Sequence, residues 1–125
     1  MTKAKVYVVQ ENPNYSVLNA GQYGELEVLL PYGSQIVLSV APTLHLIRKK
    51  LRNYCDEDYI VAIGDPTAIA IACMVAGEVN SGLVNMLKWD KREKMYYPIQ
   101  IDLNGRKEKE KNAWRRYFSI TRARR

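Results

Sequence analysis

Histidine occurs once in this chain, cysteine twice and phenylalanine once. Each scarcity narrows the chemistry. A single histidine (His45) limits any imidazole-based acid–base network to that position. Two cysteines, Cys55 and Cys73, have no metal-like spacing and make a disulfide framework a poor reading. Cys73 lies among apolar residues and reads as an inert buried thiol, which suits a reducing cytosol. No G-x-G-x-x-G, no Walker lysine and no EF-hand spacing are present, so the familiar nucleotide and calcium loops are missing. The longest apolar run, Ala68–Ala76, is too short to span a bilayer, and Met1–Lys5 leads into a strand pattern without the apolar core of a signal peptide. No membrane and no cofactor are expected, and the protein is expected not to be an enzyme.

Positive charge is unevenly spread. Residues 106–125 carry nine Lys or Arg against Glu108 and Glu110, a surplus of +7, while the whole chain is +6. Residues 1–105 therefore carry about −1. With 125 residues and 47% hydrophobic content, the chain suits one domain with an ordinary buried core. The expected organisation is a folded domain over 1–105 and a basic C-terminal arm over 106–125.

Periodicity supplies the elements. Val6–Val9 reads as a strand, and 11–24, with Asn12-Pro13-Asn14 and two glycines, as a loop. Glu25–Leu30 and Gln35–Val40 read as strands joined by a turn at Pro31–Ser34, a hairpin. Pro42 suits a helix start, and Leu44, Ile47, Leu51 and Tyr54 form its apolar stripe until Asp56-Glu57-Asp58 end it. Tyr59–Ile63 reads as a buried strand. Asp65 then caps a helix with Pro66 at its first position. This helix, 68–80, is apolar nearly all round, which predicts burial on more than one side, with Gly82 as C-cap. Leu83–Trp89 and Met95–Leu103 read as strands, with Met95, Tyr97, Ile99, Ile101 and Leu103 facing the core. The order β-β-β-α-β-α-β-β predicts an α/β domain with a mixed sheet, parallel at its centre and antiparallel at its edges, followed by a basic helical arm.

Two basic surfaces are candidate sites. In the arm, Ala113, Trp114, Tyr117, Phe118 and Thr121 share one helical face, with Arg115, Arg116 and Arg122 on others and Arg124 and Arg125 beyond. Arginine pairs with phosphate and aromatic rings stack on bases, so this pattern suits DNA or RNA. The plainer reading is that the rings dock on protein while the arginines are solvated. On the first helix, His45, Arg48, Lys49 and Arg52 make a ridge that suits phosphate, or simply the solvated face of an amphipathic helix. Gly64-Asp65-Pro66-Thr67 stands where open α/β sheets bind ligands, but Asp65 would repel a phosphate, and a helix cap is the simpler reading. Asp56, Glu57 and Asp58 read as a solvated acidic loop rather than a cation site.

The segments Gly24–Pro31 (GELEVLLP), Asp56–Thr67 (DEDYIVAIGDPT) and Leu87–Asp90 (LKWD) resemble those of small proteins of tailed bacteriophages. The resemblance covers roughly residues 5–103 and leaves the arm outside. It carries over no site residues. It implies a protein acting in the cytoplasm of an infected host cell, on DNA, RNA or the host machinery that handles them. The function expected is a non-enzymatic nucleic-acid-associated accessory or regulatory protein. The alternative is an interaction module whose arm docks on a host protein or on a sister copy. An enzyme built on Asp65 and His45 would lack a second polar partner.

Overall fold

Tyr7 and Val9 on one side and Val6 and Val8 on the other are all buried, so the first strand is covered on both faces. Such a continuous β-branched and aromatic run is what a central parallel strand requires. The computed structural model describes residues 3–34 and 40–105. Its strands are β1 (Lys5–Gln10), β2 (Glu25–Leu30), β3 (Tyr59–Val61), β4 (Leu83–Asp90) and β5 (Met95–Asp102). Its helices are α1 (Val40–Leu51) and α2 (Pro66–Val79), with a 3-10 helix at Leu18–Tyr23. The sheet order is β2-β1-β3-β4-β5, parallel across the first four strands and antiparallel between β4 and β5. The architecture is a single α/β domain with a mixed sheet.

Both α-helices pack on one face. Ile47 and Leu51 of α1 and Ile71, Val75 and Ala76 of α2 close over Tyr7, Val9, Ile60 and Val84. The opposite face is thinner. There Val8, Val61, Leu87 and Tyr96 are covered by Ala20 and Val17 around the 3-10 helix. Tyr23 ties this cover down by donating its hydroxyl to the Tyr96 carbonyl at 3.0 Å, and Tyr96 returns a bond to the Ser16 carbonyl at 3.1 Å.

Several expectations are corrected. The 11–24 segment is not all loop, because its 3-10 helix is held by tertiary burial of Ala20 and not by local periodicity. The predicted Gln35–Val40 strand falls largely on residues 35–39, outside the described residues, and Val40 itself opens α1. β2 pairs in parallel with β1. α1 stops at Leu51, before the acidic run, and Tyr54 is buried in the turn that follows. The C-cap of α2 is Asn80, whose N–H bonds the Ala76 carbonyl at 2.9 Å, while Gly82 at φ +88° completes the turn two residues later.

The largest correction concerns α2 and β5. α2 buries Ala68, Ile71, Ala72, Val75 and Ala76 but leaves Met74 74% exposed. On β5 the alternation is as predicted, yet Met95, Tyr97, Ile101 and Leu103 are exposed and Tyr96 is the buried residue. α2 packs against β1 and β4, and among the described residues no element packs on the helix-side face of β5.

Candidate functional site

β1 and β3 are neighbours whose chains leave on opposite faces, β1 toward the 3-10 helix and β3 toward α2. The connecting chains therefore part beyond the strands' carboxyl ends, which opens a crevice where open α/β sheets bind ligands. β4 deepens it. The β3 pairing ends at Val61↔Leu87, while β4 continues to Asp90. The cleft has a volume of ≈ 1020 Å³.

Its floor is a polar cross-link. Gln10, buried at the end of β1, accepts the Asp65 N–H at 2.8 Å and donates to the Ser34 carbonyl at 3.1 Å. Gly64 permits this approach: it sits at φ +126°, and a Cβ there would lie 2.4 Å from Gln10 Cβ. The rim is of another character. Tyr15 and Tyr32 are largely exposed, Trp89 is partly exposed, and Lys88 and Lys91 stand beside them. The Trp89 ring meets Tyr96 edge-on at 5.0 Å, which sets its orientation. Exposed rings and ammonium groups around one cleft can stack a planar group and hold an anion.

The entry to α2 is a filled cap. Asp65 Oδ1 accepts the N–H groups of Thr67 at 2.7 Å and Ala68 at 3.3 Å. The donors an anion would use are thus occupied by a carboxylate of the same sign. His45 does not line the cleft that holds Asp65.

The α1 ridge lies in solvent. His45, Arg48 and Lys49 are exposed, as the helical spacing predicts, and Arg52, also exposed, lies in the turn past the helix end. Arg48 reaches Glu78 of α2 at 3.4 Å, an exposed pair of little energetic weight. Lys50 is a strap instead, donating to the carbonyls of Val28 at 3.3 Å and Leu29 at 3.0 Å. Arg115, Arg116, Arg122, Arg124, Arg125, Trp114, Tyr117 and Phe118 fall outside the described residues.

The acidic loop is not simply solvated. Asp58 is buried, and its carboxylate accepts the N–H of Lys5 at 2.9 Å and of Cys55 at 3.0 Å. It staples the start of β1 to the turn after α1. Cys55 donates its thiol to Glu57 at 3.1 Å, and that hydrogen bond to a carboxylate pushes the thiol up to about 11. Among the described residues no group of three His, Cys, Asp or Glu side chains could hold a metal ion. Among them also, no helix is long and apolar enough to cross a membrane.

Sequence reasoning missed the cleft rim. Tyr15 and Tyr32 sit in segments without periodicity, and Trp89 counted only as a strand residue. The available signal was aromatic residues inside turn-rich stretches, where burial has no pattern to explain them.

The family model described as Phage Pam3 gp32-like protein matches residues 4–103. The chain belongs to this bacteriophage protein family, and the match leaves the basic C-terminal segment outside. No curated protein and no solved structure matches the chain.

Proposed function

We propose that this member of the Phage Pam3 gp32-like family is a non-enzymatic, nucleic-acid-associated accessory or regulatory protein working in the host cytoplasm. The observation that carries the reading is charge segregation: +7 on residues 106–125 beside a near-neutral 1–105. A local cationic segment on a neutral body concentrates its attraction on a polyanion. Two surfaces support it. The exposed α1 ridge adds Lys49 and Arg52, and the cleft rim offers Trp89, Tyr15 and Tyr32 with Lys88 and Lys91. In this reading Arg115, Arg116, Arg122, Arg124 and Arg125 contact phosphates.

The test is oligonucleotide binding by the full chain over a salt series. Neutralised phosphates release counterions, so log K falls with log salt at a slope of about −0.9 per contact on duplex DNA and about −0.7 on single strands. Replacing Arg115 and Arg116 together with Ala flattens the slope by about two units at most and weakens all sequences alike. No measurable affinity at low salt removes the reading.

A second reading is favoured by the exposed apolar face of α2 and β5. An interaction module for a host factor or a sister copy needs such a face, since exposed contiguous apolar surface marks contact sites.

A further inference from the structure

The groove between α2 and β5 is lined mainly by apolar residues. Met74 and Gly77 form one wall, Ile101 and Leu103 the other, and Val84 lies at the base. Its volume is ≈ 740 Å³. Met74 and Leu103 are 74% and 79% exposed. Glu78 is the one charged side chain lining it.

We propose that this groove seats the chain's own C-terminal segment, with Trp114, Tyr117 and Phe118 packed against Met74, Ile101 and Leu103. Four observations converge. The chain leaves the described domain from the groove itself, because Leu103 and Asn104 line it and Gly105 follows. That exit is anchored: Leu103 N–H bonds the Gly82 carbonyl at 2.9 Å, and Asn104 Nδ2 donates to the Ser81 carbonyl. The sequence beyond carries a matching stripe, since Ala113, Trp114, Tyr117, Phe118 and Thr121 share one helical face. The lengths also agree. As a helix, Ala113–Thr121 spans about 12 Å, enough to cover the roughly 8 Å of the α2 wall from Cys73 to Glu78. The charged stretch 106–112 reaches up to about 23 Å when extended, enough to turn the chain back along the groove.

Charge is neutral to the choice, because Glu78, the one charged residue of the rim, is already paired with Arg48. Strand addition to the β5 edge is disfavoured by Pro98 in mid-strand, which supplies no N–H to an incoming strand. Seating the rings leaves Arg115, Arg116 and Arg122 on the outer faces. The proposal is independent of any nucleic-acid activity.

Fluorescence tests it in the full chain. Trp89→Phe leaves Trp114 as the sole tryptophan. In that background Trp114 emission is blue-shifted and shielded from acrylamide relative to a synthetic 106–125 peptide. Met74→Glu and Leu103→Glu, both at exposed positions, return emission and quenching to the peptide's values while the thermal melt persists. Light scattering reports a monomer throughout. Peptide-like emission in the starting protein overturns the proposal, as does shielding that neither substitution changes. Shielding that grows with concentration alongside a dimer assigns the groove to a second copy and overturns it too.

Discussion

Gln10 and Asp65 are joined across the carboxyl ends of β1 and β3 by a 2.8 Å hydrogen bond from the Asp65 N–H to Gln10 Oε1. One side chain thus holds the floor of the cleft, and Asp65 in turn caps α2. The bond exists because Gly64 lets the two strands' ends approach.

The first expectation follows from that contact. Gln10→Ala leaves the Asp65 N–H without its partner and costs about 1–3 kcal/mol. Gly64→Ala costs more than Gln10→Ala, because its Cβ meets Gln10 Cβ and the backbone is left-handed there. In a Gln10→Gly background the Gly64→Ala cost shrinks. Urea melts of the double-mutant cycle measure this coupling, and purely additive costs show that the contact is not the cause.

Asp65→Ala removes two capping bonds and destabilises by about 0.5–2 kcal/mol. Oligonucleotide binding is unchanged. Thermal melts and binding measured together check it, and lost binding with intact stability makes Asp65 a ligand-contacting residue.

Tyr54→Phe addresses the buried loop. Its hydroxyl accepts the Asn85 N–H at 3.0 Å and donates to the Asp58 carbonyl at 3.1 Å. Phenylalanine keeps the ring and orphans a buried donor, costing about 1–3 kcal/mol. Denaturant midpoints at neutral pH report it.

Alkaline pH separates the thiols and phenols. Tyr7 is pushed up to about 12, chiefly by burial and then by Asp58. A raised folded value means that its stabilising contribution is present below about pH 10 and is lost as pH rises from there toward 12. Tyr7→Phe lessens the fall of stability across that window, part of which Tyr54 and Tyr96, also raised by burial, still produce. At Cys55, alkylation stays slow until pH approaches 11, and Glu57→Gln moves the rise to lower pH. Mass mapping distinguishes Cys55 from Cys73, whose thiol is also raised, by burial.

The cleft rim yields a binding prediction. If bases stack there, Trp89→Ala weakens single-strand binding by about 1–3 kcal/mol with the salt slope unchanged. Lys88→Ala with Lys91→Ala does the reverse, flattening the slope. Wild-type binding by both variants places nucleic acid away from the cleft.

The sequence by itself determined the α/β class, the strands at Glu25–Leu30 and Leu83–Asp90 to within a residue, and the Asp65 cap with Pro66 behind it. These are local matters: β-branched runs, a proline where no N–H is needed, and a carboxylate within reach of two free N–H groups. The exposure of His45, Arg48 and Lys49 was equally legible, because helical spacing puts them off the apolar stripe of α1, while Arg52 lies in the turn just past its end. Tertiary structure decided the rest. The 3-10 helix at Leu18–Tyr23 exists because Ala20 and Tyr23 find partners on β1 and β5, which no local pattern announces. Alternation on β5 located its faces but not their burial, since burial depends on how far α2 extends over the sheet, and it stops short of Ile101 and Leu103. The cleft likewise depends on β1 and β3 lying side by side while their chains depart on opposite faces, a long-range pairing that periodicity cannot encode.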